Sequence, residues 1–357
     1  MFARRKYLLT VILIAVAAII HLYSRDSIRV ENGYSKGVFP FISSSLRWLF
    51  GWLPFSAGDI FYGLMVIFLV YRIIKTVGRK GKGWQWKRKL FSLLHAALII
   101  YVIFNLLWGL NYNRAGILHQ LKISANDYSK EDLVALNSFL LERVNDSKKQ
   151  WIANGAEYPK KAEMFSMVNE AYSSASKRYP FLKYEPSSIK PSVWSIAGNF
   201  LGFTGYYNPF TGEAQVNTTT PAFLHPFTAC HEVAHQVGYA KEMEANFVGF
   251  LAASHSKEPL LSYSLYLDLF FYANRNLFSL DSASANQFRK ELILPVQQDV
   301  EEWRRFRLKH RSFLEPVFRW AYGAFLERNE QPQGILAYDE VTSFVIAFYK
   351  EEGILPK

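Results

Sequence analysis

Three long apolar stretches in the first 111 residues constrain this chain more than any other feature. Residues 7–24 and 90–111 contain no Asp, Glu, Lys or Arg, and residues 55–74 carry only Asp59 and Arg72, close to the ends. About 20 apolar residues are needed for a helix to cross the hydrocarbon core of a bilayer. We therefore predict three transmembrane helices at these positions. A signal peptide is the alternative for the first stretch, but no A-x-A cleavage site follows it, which favours an uncleaved anchor.

The distribution of charge predicts the orientation of these helices. Residues 72–89 carry eight Lys or Arg and no acidic residue, and three more basic residues occupy positions 4–6. The connection at 24–57 has four basic and two acidic residues. By the positive-inside rule, the N-terminus and the 75–89 loop are cytoplasmic, and everything after about residue 111 is extracytoplasmic. Residues 34–54 are predicted to lie as an amphipathic segment at the membrane surface.

The net charge of +11 follows from this topology. Residues 1–110 contain 15 basic and 3 acidic residues, whereas the remaining residues contain 26 basic and 27 acidic ones. The surplus positive charge is therefore confined to the membrane part. A basic patch on a soluble domain would have suggested nucleic-acid binding, but this distribution predicts the lipid bilayer as a partner and no nucleic acid.

The rest of the chain is predicted to be mainly α-helical, with one small β element. Residues 112–190 read as a helical connecting subdomain, and residues 191–357 as the domain that carries the chemistry. Two short strands around N-P-F-T-G, with a second arm at Glu213–Asn217, predict a hairpin. Its exposed edge could hold an extended peptide by main-chain hydrogen bonds, and the alternative is a purely structural hairpin. Further along the chain, a single helix is predicted over Asn286–Arg311.

Residues 231–246, H-E-V-A-H-Q-V-G-Y-A-K-E-M-E-A-N, carry the strongest functional signal. His231 and His235 share one face of a helix and can bind one metal ion, and two imidazoles with a carboxylate suit zinc. Pro226 is placed to start this helix and Gly238 to end it. The alternative is an ordinary amphipathic helix with His and Glu on its surface. We predict one Zn²⁺ per chain.

The third metal ligand is either Glu242 or Glu244. These two residues point to different sides of a helix, so only one of them can join the histidines. Glu242 is favoured because Asn246 lies one turn further on the same face, where it can hydrogen-bond a ligating imidazole. Glu244 is kept as the alternative ligand.

The predicted chemistry is hydrolysis. Glu232 can act as the general base that takes a proton from the attacking water, while the metal polarises the scissile carbonyl. Some donor must also stabilise the oxyanion that forms. Spacing does not choose among the candidates for this role or for substrate contact, which are Tyr206, Tyr207, His225, Tyr239 and Tyr338.

The segments H-E-V-A-H and E-M-E-A-N together resemble the gluzincin metallopeptidases, whose third ligand is a Glu in an E-x-x-x-[D/N]-like helix. The resemblance implies a zincin-like α+β domain, Glu242 as ligand and Asn246 as the residue that orients a histidine. The metzincin position for a third histidine holds Lys241, which is no zinc ligand at neutral pH. A short turn at Gly238 must therefore bring Glu242 to the histidines.

The whole chain is similar to an uncharacterised family of bacterial inner-membrane proteins that have three N-terminal spans. The similarity includes W-G-L-N-Y-N-R at 108–114 and N-P-F-T-G-E-A at 208–214. It implies a location in the bacterial inner (plasma) membrane and a peptidase-like fold, but no substrate.

Two classes of function follow from these patterns. The first is a membrane-anchored zinc metallopeptidase that hydrolyses peptide or amide bonds of a peptide or cell-envelope substrate. The second is a catalytically inactive, peptidase-like membrane protein with a structural, signalling or cell-envelope binding role, in which the hairpin could bind peptide. An intact Glu232 favours the first, since a site without hydrolysis needs no general base.

Overall fold

The computed structural model describes residues 2–77, 86–124, 128–329 and 341–356. Within these residues, three helices are long and apolar enough to cross a membrane, with apolar windows at Arg5–Ser24, Ala57–Lys75 and Lys89–Leu107. The windows match the three predicted stretches to within a few residues. The complete helices are α1 (Phe2–Ser24), α4 (Ala57–Val77) and α5 (Trp86–Leu107).

Polar side chains join α1 to α5 within this apolar region. Thr10 Oγ1 lies 2.8 Å from His95 Nδ1, and Lys6 Nζ donates to Ser92 Oγ over 2.8 Å. Polar groups in a bilayer must find partners inside the protein. These two pairs therefore fix which faces of α1 and α5 meet.

The connection between the first two long helices is itself helical, and one of its helices buries polar side chains and exposes apolar ones. It consists of α2 (Ser27–Arg29), a π-helical segment (Val30–Val38) and α3 (Phe39–Phe50). In α3, Ser43 and Arg47 are buried, whereas Phe41 and Trp48 are 75% and 74% exposed. Apolar side chains that face outwards beside membrane helices suit the interfacial position that the sequence predicts for this connection.

The remaining chain forms eleven more helices among the described residues. They are α6 (Ile117–Leu121), α7 (Lys130–Ala153), α8 (Lys161–Ser176), α9 (Ser195–Leu201), α10 (His225–Gln236), α11 (Glu242–Ala253), α12 (Pro259–Leu280), α13 (Ser282–Lys290), α14 (Leu294–Lys309), α15 (Leu314–Arg328) and α16 (Val341–Glu351). One continuous buried cluster runs from Ile117 to Leu355. The predicted division at residue 190 therefore does not separate two hydrophobic cores.

The single helix predicted over Asn286–Arg311 is wrong, because the chain breaks between α13 and α14. Ile293 has extended backbone, and Pro295 occupies the first turn of α14. Proline has no N–H to donate and its ring clashes with the preceding turn, so it starts a helix far more readily than it continues one.

A small mixed sheet lies among the helices. It contains β1 (Ile189–Pro191), β2 (Gly205–Asn208) and β3 (Glu213–Val216), in the order β1-β3-β2. β3 is central and buried along its length, with β1 parallel to it and β2 antiparallel. The predicted hairpin around N-P-F-T-G is confirmed as the β2–β3 pair, and β2 is an edge strand.

The sheet is bound directly to the start of the membrane helix α4. The Glu213 carboxylate accepts hydrogen bonds from the backbone N–H groups of Ala57, at 3.0 Å, and Gly58, at 2.6 Å. These are two of the four N–H groups that a helix N-terminus leaves without partners. Asp59, in the same turn, accepts from the Val193 N–H and the Tyr206 hydroxyl. Glu213 of β3 therefore caps α4, and Asp59 ties the same turn to β2 and to the residues after β1.

The junction after α5 carries a buried ion pair. The Arg114 guanidinium donates to both oxygens of Glu31, at 2.9 Å each, and to the Gly238 carbonyl at 2.7 Å. The side chains of Arg114 and Glu31 are only 2% and 1% exposed. Burial alone would raise the pKa of Glu31, but the hydrogen bonds and charge of Arg114 outweigh it and hold that pKa at about 2. The pair ties the connection after α1 to the junction after α5.

Replacing Arg114 should destabilise the protein strongly. Arg114→Ala leaves the Glu31 carboxylate buried without its main partner, which typically costs about 3–5 kcal/mol. Arg114→Lys should recover little, since an ammonium group cannot reproduce the bidentate contact. Thermal unfolding in detergent measures both.

Lys36→Ala is the matched control for this prediction, because Lys36 also pairs with Glu31, at 3.3 Å, but is 45% exposed. Exposed pairs contribute about 0–1 kcal/mol. Equal unfolding temperatures for Arg114→Ala and Lys36→Ala would contradict the importance of the buried pair.

Candidate metal centre

The histidines lie on α10, and a tight turn brings the next helix back against them. Pro226 lies in the first turn of α10, the helix ends at Gln236, and Gly238 adopts a φ of +98°, a conformation that favours glycine. The chain then starts α11 at Glu242. A Cβ placed at Gly249 would lie 3.3 Å from the His231 backbone nitrogen, so α11 packs closely on α10. The short turn that the sequence requires is present.

Three donor groups meet between these helices. His231 Nε2 lies 3.1 Å from Glu242 Oε2, and His235 Nε2 lies 3.6 Å from the same oxygen. The ligand atoms of the three side chains all lie within 4.8 Å of one another. Their side chains are 12%, 7% and 3% exposed, respectively for His231, His235 and Glu242. The structure therefore brings together the three residues favoured as ligands from sequence.

Hydrogen bonds fix the orientation of both imidazoles. His231 Nδ1 lies 2.7 Å from Asn246 Oδ1, and His235 Nδ1 lies 2.7 Å from the backbone oxygen of Tyr239. Because both acceptors are oxygens, each Nδ1 carries a proton, and each Nε2 atom faces Glu242 and can bind a metal once it is deprotonated. Partners of this kind set the tautomer that metal ligation requires. Asn246 thus occupies the position expected for it.

The three side chains fit a zinc ion. With bonds of 2.0–2.2 Å, tetrahedral ligand atoms are about 3.4 Å apart, close to the two distances from Glu242 Oε2. The pocket also favours positive charge. Burial lowers the pKa of His231, but its hydrogen bond to Glu242 and the charges of Glu232 and Glu242 raise it to about 9. A set of two imidazoles and one carboxylate is typical of catalytic zinc sites, which take water as the fourth ligand.

Glu232 lies beside the ligands and against strand β2. It is 4% exposed, and within the described part of the chain its Oε2 atom has no hydrogen-bond partner. Burial raises its pKa to about 7, although the charges of His231 and His235 lower it. A Cβ at Gly205 would lie 2.6 Å from Glu232 Oε1. Glycine at the start of β2 therefore makes space for this carboxylate.

Glu244, the alternative ligand, lies elsewhere. Its Oε1 atom packs against Gly116, where a Cβ would approach it to 2.2 Å. Its carboxylate accepts a hydrogen bond from the Ile117 N–H at the start of α6. Burial raises its pKa, an effect that the charges of Lys241 and Arg114 reduce. Glu244 therefore anchors the start of α6, and only Glu242 joins the histidines.

Two of the five predicted oxyanion donors are engaged away from the candidate ligands. The Tyr206 hydroxyl bonds to Asp59 and Ser192, and a ring nitrogen of His225 lies 2.9 Å from the Thr220 oxygen. These contacts give Tyr206 and His225 partners other than the candidate ligands, and their predicted roles stay predictions. Tyr338 lies outside the described residues.

Two other predicted tyrosines contact His235. Tyr239 holds His235 through its backbone oxygen, while its hydroxyl donates to Gln120. The Tyr207 ring is half-buried and lies 6.4 Å from the His235 ring, measured between centroids. These contacts give both residues packing or orienting roles at His235, and their predicted role as oxyanion donors stays a prediction.

Tyr322 on α15 also contacts the candidate site, although the sequence pattern does not predict it. Its hydroxyl donates to Glu242 Oε1, the oxygen that does not face the histidines. On the same helix, the Phe318 ring lies 5.8 Å from the ring of Phe203, just before β2. α15 and β2 therefore flank the metal centre. No local motif indicates that Tyr322 lies at the site. Gly205 does have a local signal, because a glycine in a strand often marks a position that another group approaches closely.

Asn246 should control metal affinity without binding the metal. Asn246→Leu removes the acceptor of the His231 Nδ1–H, and loss of such a partner typically weakens metal binding about 10- to 100-fold. Asn246→Asp keeps an acceptor oxygen and should bind Zn²⁺ much as the wild type does. Competition with a chelating indicator measures both, and wild-type affinity in Asn246→Leu would contradict the orienting role.

Comparison with known proteins supplies a family for the chain. The family described as "Protein of unknown function (DUF3810)" matches residues 34–346. No curated protein and no solved structure matches the chain. Since the match covers most of the sequence, the chain belongs to the DUF3810 family of proteins of unknown function.

Proposed function

We propose that this protein is a membrane-anchored, zinc-dependent metallopeptidase of the gluzincin type. The observation that carries the proposal is the convergence of His231, His235 and Glu242, with both imidazoles oriented and Glu232 beside them. An α-helical pair with a small sheet at its side is compatible with a zincin-like domain. The reaction is hydrolysis of a peptide or amide bond.

The ligand residues and their supports have distinct tasks. His231, His235 and Glu242 would hold Zn²⁺, which when bound supplies a Lewis acid that polarises the scissile carbonyl. Tyr322 holds the second oxygen of Glu242 and is a positioning residue. Asn246 keeps the Nε2 atom of His231 directed at the metal position.

Glu232 takes the proton of the attacking water. Its Oε2 atom has no hydrogen-bond partner in the described part of the chain, so that oxygen is available to accept a proton. The same carboxyl can later deliver the proton to the leaving amine, as a general acid. Gly205 keeps the space around it open.

Strand β2 would hold the substrate. It is the edge strand of the sheet and starts at Gly205, against Glu232. An extended peptide can pair with a strand edge through main-chain hydrogen bonds, which gives affinity without strict sequence requirements.

The site would act on the extracytoplasmic side of the inner membrane. The basic residues at 4–6 and 72–89 favour a cytoplasmic location for the loop between α4 and α5. With three spans, α6 to α16 would then lie on the opposite side. A peptide of the cell envelope is the substrate class that this topology favours.

Metal analysis tests the ligand set. Protein purified in detergent without chelator should contain about one zinc ion per chain. Glu242→Gln should lose it, because an amide is a poor zinc ligand. Glu244→Gln should retain it, and the change should be mild because burial already favours the neutral form of that carboxyl.

The absence of stoichiometric zinc in the wild type would refute the proposed zinc peptidase function and favour the structural or binding role. Loss of zinc in Glu244→Gln with retention in Glu242→Gln would refute the ligand assignment alone.

Cleavage is tested by comparing wild type with Glu232→Gln. Both should bind zinc, but loss of a general base should lower hydrolysis by about 10²- to 10⁴-fold. Since no substrate is known, new peptide N-termini are mapped by mass spectrometry in membranes that contain either protein. Identical sets of N-termini in the two membranes would argue for a metal site without hydrolysis.

A further inference from the structure

A second apolar surface lies outside the three long helices. It is formed by α9 with the residues before it and by the start of α15, and we name it the collar. Its exposed apolar side chains are Val193 (65%), Ile196 (69%), Phe200 (40%), Phe313 (83%), Val317 (60%) and Trp320 (75%). Isolated exposed apolar residues are common, but a contiguous group of this kind marks an interaction surface.

The two helices of the collar form one surface. The Ser312 hydroxyl, just before α15, donates to the Phe200 carbonyl in α9 over 2.6 Å. A Cβ at Gly202 would lie 3.2 Å from Glu315 Cγ, so the two elements are in close contact. The six exposed apolar side chains of the collar therefore belong to one continuous patch.

The collar is continuous with the membrane helices. A Cβ at Gly63 would lie 3.2 Å from the Trp194 ring, and Trp194 Nε1 donates to the Asp59 carbonyl over 3.2 Å. Gly63 lies six residues inside α4, which is about 9 Å along the helix from its start. The residues next to α9 therefore contact α4 within its apolar length.

α15 approaches another membrane helix in the same way. The Phe325 ring lies 6.2 Å from the Phe104 ring of α5, measured between centroids. Phe104 precedes the last residue of the span by one helical turn. Both collar helices therefore lie beside the ends of apolar spans, α9 at the start of α4 and α15 at the end of α5.

The chain just before α15 has the charge that a membrane surface attracts. Residues 303–314 contain five Lys or Arg and no acidic residue. Arg305, Arg307, Lys309 and Arg311 in this segment are exposed. Lys and Arg beside an apolar helical face are typical of helices that lie in the interface of a bilayer, where they contact lipid phosphates.

We propose that the collar is embedded in the interfacial layer of the bilayer that the three long helices cross. Its apolar side chains insert among the acyl chains, and the basic segment before α15 contacts the lipid phosphates. α15 also carries Tyr322, whose hydroxyl contacts Glu242. The metal centre therefore lies at the membrane surface, whether or not it is catalytic.

Spin labels test the proposal directly. Cys230 is the only cysteine and is fully buried, so introduced cysteines can be labelled selectively. Ile196→Cys and Val317→Cys report on the collar. Leu64→Cys, 61% exposed on α4, is the lipid control, and Lys149→Cys, 61% exposed on α7, is the water control.

The labelled full-length proteins are placed in bilayer discs of phosphatidylcholine and phosphatidylglycerol. Power saturation then gives the accessibility of each label to oxygen, which concentrates in lipid, and to a nickel chelate, which stays in water. Collar labels should show an oxygen-to-nickel ratio several-fold above that of the Lys149→Cys label and close to that of Leu64→Cys.

Two outcomes would overturn the proposal. A ratio at positions 196 and 317 equal to that of the Lys149→Cys label would place the collar in water. Low accessibility to both reagents, with dipolar broadening between labels, would show that a second copy of the chain covers the collar. The Glu242→Gln background should give the same ratios, which separates this result from the fate of the proposed zinc site.

Discussion

The site depends on the hydrogen bonds that backbone carbonyls at and just after the end of α10 accept. A helix leaves its last carbonyls without partners inside the helix, and here the candidate ligand His235 lies in that last turn. Trp108 donates to the His235 carbonyl, Ser43 and Arg47 donate to that of Gln236, and Arg114 donates to that of Gly238. All four donors come from the first 114 residues, so the membrane-proximal chain holds the metal helix in place.

This arrangement explains why two separate sequence motifs accompany the histidines. W-G-L-N-Y-N-R supplies Trp108 and Arg114 to the end of α10, and N-P-F-T-G-E-A supplies Glu213 to the start of α4. One motif thus ties the site to the end of a membrane helix, and the other ties the sheet to the start of another. Neither motif contains one of the candidate ligands His231, His235 and Glu242. Both motifs instead help to hold the elements around these ligands in place.

Sequence reasoning reached the parts of the site that are encoded locally. The spacing of His231, His235 and Glu242 follows from helix geometry and the glycine turn, so the three could be grouped without a structure. Tyr322 could not be found, because its contact depends on how α15 folds back across a long stretch of chain. The strand pattern could not decide between Tyr206 and Tyr207: successive residues of a strand face opposite sides, and here Tyr207 lies beside His235 while Tyr206 bonds to Asp59.

The direct bond from Trp108 to His235 leaves no linker between the third span and the metal centre. A domain on a flexible tether samples many heights above a membrane, whereas this one is held at a single height. A peptide anchored in the same bilayer would then reach the centre only after a fixed length of extended chain, at about 3.3 Å per residue. Under the proposed peptidase function, the distance of a bond from the lipid would then determine cleavage more than the side chains around that bond do.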